Sequence, residues 1–310
     1  FIKQKEALVK KYPTAWFTAY IQYSLATDLY ALDENKLQNI NQIFAIQQDV
    51  IKNFPNSSEK TQLDNLVGKI KSKEFKVDAE KYLIENKNSP IKITHKNFNK
   101  IYVKVLAYNV GFEDDSKQQS LYVYNDNRIR QAQEFLNRLK VVEEYAIDLK
   151  SFDDYQSHST VAKLNPLASG RYIILFSNDA SFKITKDDDI DFIDIGVSKY
   201  AINPINNQLF VVNRETGKPE NNISVEVLNT TNYNKKETKT FVSNKNGEII
   251  LPEDWRSFEF RVKNEHAVYS SSFYRNRYDS DNGVERDVKI FTDRAIYRPG
   301  QTVYFKGIFY

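Results

Sequence analysis

The apolar positions of this chain change period early. Up to about residue 74 they recur at helical spacing: Leu25, Leu29 and Leu32 share one stripe, Ile40, Ile43, Phe44 and Ile46 follow, and Leu63, Leu66, Val67 and Ile70 make one face. Strand alternation is missing there. An internal echo accompanies the pattern, with Lys11-Tyr12-Pro13-Thr14 opening one segment and Asn53-Phe54-Pro55-Asn56-Ser57 another. In each, an aromatic closes one helix before a proline starts the next, a common device of stacked helical hairpins. Residues 1–76 are therefore predicted to be a small helical bundle or a short helical-hairpin array.

From about Val77 the period becomes two. Ile91 and Ile93, then Ile101, Val103, Val105 and Ala107, alternate with Lys92, Tyr102 and Lys104, as strands with one buried face do. One helical stretch interrupts them near 126–140, where Ile129, Ala132, Leu136 and Leu139 fall on one face behind the N-cap types Asp126 and Asn127. Strand character returns at 145–149, 160–164 and 171–176, so 77–186 reads as a β-sandwich with a helical insertion. A second sandwich is predicted over 187–287 from runs at 190–201, 208–213, 223–227, 238–243, 248–251, 258–262 and 267–273. Its turns are Thr216-Gly217-Lys218-Pro219 and Asn246-Gly247, the latter the strongest short hairpin signal. The fold class expected is α+β and multidomain: a helical segment, then two antiparallel β-sandwiches.

Composition narrows the function classes. With 44 Lys plus Arg against 41 Asp plus Glu, the formal charge is +3 and no dense basic block exists, so nucleic acid is not an expected partner. No apolar run approaches the roughly 18 residues of a membrane span, so no integral membrane segment is expected. Cysteine is absent, which excludes disulfides, zinc–thiolate sites, thiol nucleophiles and thioesters from these residues. Glycine is scarce at 9 residues while Asn is plentiful, which predicts turns built on Asn, the non-glycine residue that best tolerates left-handed backbone. The absence of Met and the start at Phe1 suggest a piece of something longer.

The candidate chemistry is sparse. His95, His158 and His266 are isolated in sequence, without a second His or Cys at ligand spacing. His158 lies between Ser157 and Ser159 and near Asp153 and Asp154, superficially a nucleophile, a base and an orienter, but no nucleophile elbow surrounds it. The acidic run Asp187, Asp188, Asp189, with Asp191 and Asp194, offers oxygen ligands that calcium prefers, yet it lacks the Gly and terminal Glu of an EF-hand loop. Glu113-Asp114-Asp115 reads likewise as a solvated run. Tyr274, Arg275, Arg277 and Tyr278 form the densest Tyr-Arg cluster, a composition that suits a partner surface. No phosphate loop is present. No catalytic residue, metal or cofactor is assigned, and the expectation is a non-enzyme.

The stretch from Phe291 to Gly307 contains Thr292-Asp293-Arg294, then Tyr297-Arg298-Pro299-Gly300, then the alternating Val303 and Phe305. In that order these residues resemble the opening strand of the macroglobulin-like domain in the alpha-2-macroglobulin family. Pro299-Gly300 would form a tight turn, and Val303 and Phe305 would enter a sheet on one face. The unit from Val212 to Pro219 and Ser243 to Gly247 is similar to the sandwich that precedes that domain in large bacterial members, and stretches around Tyr102 to Tyr108, Tyr155 to Thr160 and Ser169 to Phe176 look like the N-terminal region of Bacteroidetes-type members. The resemblance implies that 187–287 is macroglobulin-like and that 288–310 is the first strand of a following macroglobulin-like domain. It also implies an exported protease-trapping or protease-inhibiting protein, periplasmic or associated with the outer membrane, with its signal or lipid anchor outside these residues. Proteases would be targets of the full-length protein, with further macroglobulin-like domains as neighbours. The family's bait region and thioester match nothing here, so a scaffold role is implied. The Thr-Gly-Lys-Pro and Asn-Gly unit also resembles sandwiches attached to carboxypeptidases and outer-membrane receptors, which makes an adhesion or glycan- or protein-binding module the alternative.

Overall fold

The computed structural model describes residues 1–108, 126–184, 190–205, 207–232, 236–263, 265, 269–272, 288–292, 300 and 302–309. Packing divides the chain into two units, each assembled from separate segments. One comprises Phe1–Phe75, Thr94–Asn99 and Leu149–Ser159; the other comprises Lys76–Ile93, Lys100–Asp148 and Thr160–Tyr310.

The first unit holds α1 (Ile2–Lys11), α2 (Thr18–Ala31), α3 (Lys36–Asn53) and α4 (Ser58–Lys71). Leu25, Leu29, Ile40, Ile43, Ile46, Val50, Leu63, Val67 and Ile70 form one buried cluster, as their spacing predicts, while Phe44 and Leu66 pack on its margin. Leu32 drops out of the stripe because α2 ends at Ala31; its backbone is extended and its side chain 42% exposed. The sequence echo has a structural counterpart. Tyr12 ends α1 with φ −130 and ψ 61, and Phe54 ends α3 with φ −135 and ψ 52. Each donates its backbone N–H to the carbonyl four residues earlier, Leu8 and Val50 respectively, and each precedes a proline.

In the second unit a five-stranded sheet runs in the order β2 (Tyr82–Leu83), β8 (Ile190–Val197), β7 (Gly170–Ser177), β4 (Lys100–Ala107), β5 (Lys140–Asp148). Its pairings are antiparallel except β2 with β8, which is parallel. Ile173 and Leu175 of β7 pack with Leu106 and with Leu136 of α5 (Asp126–Asn137), the helical insertion. Ile174 and Phe176 point to the opposite face by strand alternation and are also fully buried, so β7 is a doubly covered central strand. The alternation expected through Ala107 buries Ile101, Val103 and Val105 on one face and leaves Ala107 half-buried. Leu106, on the other face, is buried as well because it packs with Leu136 of α5 and Ile173, and the bulge opposite Val105 and Leu106 lies in β5, where the register skips Val142. A three-stranded sheet has the order β1 (Glu74–Ala79), β3 (Ser89–Lys96), β6 (His158–Leu164).

Two further sheets share one core. The first is β13 (Glu248–Ile250), β10 (Gln208–Asn213), β9 (Tyr200–Ile205); the second is β12 (Glu237–Val242), β11 (Ser224–Asn229), β14 (Ser257–Val262), β15 (Tyr269–Ser272). Leu209, Val211 and Ile249 from one meet Val225, Val227, Phe258 and Phe260 from the other, with Trp255 between them in sequence. Two expectations are corrected here. The run 190–201 is not one strand: it breaks after Val197, and β8 and β9 belong to different sheets. Nor does Asn246-Gly247 make a hairpin of its flanking strands, since β12 pairs with β11 and β13 with β10. The turn instead carries the chain from one sheet to the other. Gly247 has φ 76, its carbonyl accepts from Val211 N–H at 2.7 Å, and a Cβ there would run into the Val211 carbonyl oxygen.

Near the end of the chain, β16 (Val288–Thr292) pairs antiparallel with β17 (Phe305–Phe309). Gly300 takes φ 84, the left-handed turn geometry that the Pro-Gly pair foretold. Val303 and Phe305 do not enter a sheet together: Val303 precedes β17, and the two are 48% and 73% exposed. Among the described residues β16 and β17 pair only with each other, and a two-stranded ribbon by itself has no second layer to bury them. The architecture is thus α+β and multidomain, and among the described residues no helix is long and apolar enough to cross a membrane.

Candidate functional site

The first unit contains a cleft of about 450 Å³, lined by Lys71, His95, Asn97 to Asn99, Lys150 to Gln156 and His158. Its floor is set by how β3 ends against α4. The last carbonyls of any helix lack intrahelical donors and carry partial negative charge. Here Asn97 Nδ2 donates to the carbonyls of Ile70 and Ser72 at 2.7 and 2.8 Å, while the buried Lys96 Nζ donates to the Lys69 carbonyl at 2.8 Å and to Glu74 Oε1 at 3.0 Å. Hydrogen bonds from Ser72 and Lys96 hold the Glu74 carboxyl below its ordinary range. Asn97 sits at φ 60, an economical use of Asn in a left-handed turn. This double attachment fixes His95, the neighbour of both.

The opposite wall is the loop before β6. It contains two left-handed residues, Asp153 at φ 50 and Tyr155 at φ 58, the latter uncommon for an aromatic side chain. Tyr155 stays there because its ring meets Phe44 of α3 edge-on at 5.2 Å and joins the helical core. Asp153 accepts from Ser151 Oγ at 2.7 Å. Asp154 accepts from the Gln156 N–H at 2.9 Å, and His158 Nε2 lies 3.0 and 2.9 Å from its two oxygens. Burial alone would raise the Asp154 carboxyl, but the bonds from His158 and Gln156 outweigh it and hold the group below its usual value. The His158 ring stacks on Phe152 with centroids 3.6 Å apart and planes at 14°.

The two histidines have complementary second partners. His95 is 3% exposed, and its Nδ1 lies 3.2 Å from the Phe98 carbonyl oxygen. A carbonyl only accepts, so Nδ1 carries the hydrogen and the neutral ring presents a lone pair at Nε2. Burial, with a smaller contribution from His158, pushes the His95 pKa down despite the Phe98 bond, which favours that neutral form. Nε2 is buried and has no hydrogen-bond partner among the described residues. In His158 the hydrogen on Nε2 faces Asp154, so its neutral form presents a lone pair at Nδ1. Lys71 and Lys150 also line the cleft; their ammonium groups lie over the Phe44 and Phe152 rings at 4.7 and 4.9 Å, and neither makes an ion pair among the described residues.

The structure brings together two histidines that sequence spacing left isolated, along with Asp153 and Asp154. It does not assemble a Ser-His-Asp triad: Ser159 Oγ pairs with Thr94 Oγ1 at 2.9 Å, Ser157 is exposed, and neither hydrogen-bonds to His158. Of the acidic run, Asp191 accepts from the Val77 and Phe192 N–H groups at 2.8 Å each, and Asp194 forms a two-pronged ion pair with Arg171 at 2.9 and 2.7 Å. Both carboxylates thus serve strand packing, and among the described residues no three His, Cys, Asp or Glu are placed to hold a metal ion. Asp187, Asp188, Asp189, Glu113, Asp114, Asp115, His266, Tyr274, Arg275, Arg277 and Tyr278 lie outside the described residues, as do Asp293, Arg294, Tyr297, Arg298 and Pro299 of the motif. Thr292 and Gly300 are described and exposed. The cleft had one signal in the sequence, Lys96-Asn97 at the end of an alternating run, but nothing local said that it would meet residues 150–158.

No protein-family model matches the sequence, and comparison with curated proteins gives no match. Among solved structures the chain is similar to native alpha-2-macroglobulin from Escherichia coli spanning domains MG0-NIE-MG1, at 13% identity and a TM-score of 0.42, over 65% of this chain and 64% of that one. A second E. coli structure, spanning NIE-MG1, is 14% identical with a TM-score of 0.38 over 64% of this chain and 97% of that one. Salmonella alpha-2-macroglobulin reacted with methylamine is 11% identical with a TM-score of 0.25, over 76% of this chain and 18% of that one. The chain therefore spans less than two thirds of the first of these.

Proposed function

We propose that these residues are a non-catalytic scaffold part of a macroglobulin-like protein that traps or inhibits proteases in a bacterial envelope, periplasmic or outer-membrane associated. The observation that carries this reading is the ordered motif from Thr292 to Gly300, placed directly after a sandwich whose turns at Gly217 and Gly247 match the same resemblance. Serial β-units are suited to spacing and orienting such a motif, because each buries its own core and presents turns at its ends. Proteases are then partners of the whole protein, and the role of this part is positional.

The test is to express the gene's full product and incubate it with a broad-specificity serine protease. Trapping predicts that cleavage of a large protein substrate falls while cleavage of a small peptide substrate persists, since enclosure blocks only bulky molecules. Equal retention of both activities would count against trapping. Turnover of an ester or peptide by the 310-residue chain, lost on His158→Ala, would overturn the non-catalytic assignment.

A further inference from the structure

The two turns that share the sequence echo differ in what they show to solvent. Between α3 and α4 the chain exposes Asn53, Pro55, Asn56 and Ser58 and packs Phe54 on the helical core, as a turn suited to water does. Between α1 and α2 it exposes Tyr12, Pro13, Thr14 and Trp16, and Tyr20 follows one turn later in α2. Trp16 is 90% exposed and Tyr20 64%, and Leu8, one turn before Tyr12 in α1, is exposed too. The arrangement is fixed from within. The Phe17 ring meets Tyr12 edge-on at 5.8 Å and Trp16 at 5.7 Å, the Thr18 N–H donates to the Ala15 carbonyl at 3.0 Å, and the buried Thr18 hydroxyl donates to the Tyr12 carbonyl. Contiguous exposed aromatics held in this way mark a contact surface, because the helical core gains nothing from them.

The charges around the patch select its occupant. From Ala7 to Thr27 the only charged residues are Lys10 and Lys11, both exposed and neither in an ion pair among the described residues; the Lys11 ammonium lies 5.2 Å from the Tyr12 ring centroid. A saccharide site pairs an aromatic face with side chains that hold hydroxyls, yet no Asp, Glu, Asn, Gln, Arg or His occurs from Ala7 to Ile21. A second copy of the chain would bring the same lysines to both sides of a two-fold contact. A bilayer with anionic headgroups meets both features. Trp and Tyr have an apolar body and a polar edge and settle at headgroup level, and lysines beside them are drawn to the negative surface. We propose that the turn from Lys10 to Tyr20 docks on an anionic phospholipid bilayer, with Trp16 and Tyr20 at headgroup level and Lys10 and Lys11 against the anionic headgroups. This is a surface contact, in keeping with the absence of a spanning helix among the described residues. It rests on the helical unit alone and stands or falls independently of protease trapping.

The chain's two tryptophans make the test direct, since Trp255 is buried and a change in emission on binding reports Trp16. The 310-residue chain is mixed with vesicles of phosphatidylethanolamine and phosphatidylglycerol, and separately with phosphatidylcholine vesicles. It is expected to sediment with the anionic vesicles, more strongly at low salt, and its tryptophan emission should move to shorter wavelength as Trp16 leaves water. Trp16→Ala should weaken sedimentation by about tenfold or more and abolish the shift. Lys10→Gln combined with Lys11→Gln should weaken binding to anionic vesicles by about tenfold or more, at about fivefold for each charge. All three side chains are exposed, so the circular dichroism of the variants should match the wild type. Failure to sediment with anionic vesicles overturns the proposal. So does binding that is unchanged in both variants, a Trp16-dependent dimer in sedimentation velocity, or an emission shift produced by soluble polysaccharide and not by vesicles.

Discussion

Two glycines with the same backbone sign have different reasons to be glycine. Gly217 at φ 67 closes a turn in open space, its N–H donating to the Asn213 carbonyl at 2.8 Å. Gly247 at φ 76 also needs the room that a side chain would take from the Val211 carbonyl. Gly217→Ala should therefore cost about 1–2 kcal/mol, the left-handed penalty alone, while Gly247→Ala should cost more than about 3 kcal/mol because backbone must move as well; urea denaturation of the two variants measures the difference. Among the described residues, four of the seven non-glycine residues with positive φ are Asn35, Asn86, Asn97 and Asn222, so the composition argument for Asn-built turns holds at named positions. His95 adds a pH dependence. Its folded pKa is depressed, chiefly by burial, so its contribution to stability is present above the unfolded value of 6.5 and is lost as pH falls through the lower folded value. Urea midpoints should fall from pH 7.5 to pH 5 in the wild type, and the fall should be shallower in His95→Leu; equal slopes would count against a buried neutral ring.

Helix α4 shows how an element is completed by residues far from it. Its N-terminus is capped locally, Ser57 Oγ accepting from the Lys60 N–H at 3.3 Å, a signal plainly visible in Pro-Asn-Ser-Ser. Its C-terminus is capped by Lys96 and Asn97, which no local motif announces. Ser57→Ala should cost about 1 kcal/mol. Asn97→Ala removes two hydrogen bonds and puts a residue less tolerant of left-handed backbone than Asn at φ 60, for about 2–3 kcal/mol. If urea denaturation shows the two variants equal, the distant cap carries less of α4 than its geometry implies. Among the strands, alternation located the buried Ile101, Val103 and Val105 of β4 but not Leu106, which is buried on the opposite face against Leu136 of α5. A pattern with one apolar face cannot show that a helix from elsewhere in the chain covers the other face too.

Across the whole molecule, the compact units do not follow the linear boundaries that periodicity suggests. Residues 94–99 and 149–159 include the end of β3 and the start of β6, yet they belong with the helices. An isolated 1–75 fragment would contain all four N-terminal helices but lack the Lys96 and Asn97 caps and the Tyr155 ring that packs on Phe44. Its helicity should be lost gradually on heating, where the intact chain melts cooperatively. A sharp transition in the fragment, at the temperature of the intact chain, would show that the two later segments add nothing to the helical core.

By itself the sequence determined which faces are buried and which turns are left-handed, because hydrophobic period and backbone tolerance act over a few residues. Leu25 with Leu29, Val225 with Val227 and the glycines at 217, 247 and 300 are all legible in that way. Only tertiary structure decided what each face meets. Asn-Gly links two sheets here instead of closing a hairpin, and His95 and His158 share a cleft although neither has a neighbour of its kind in the sequence. The physical reason is common to both: a local pattern reports the energy of leaving water, while pairing and convergence depend on distant segments that the pattern does not contain.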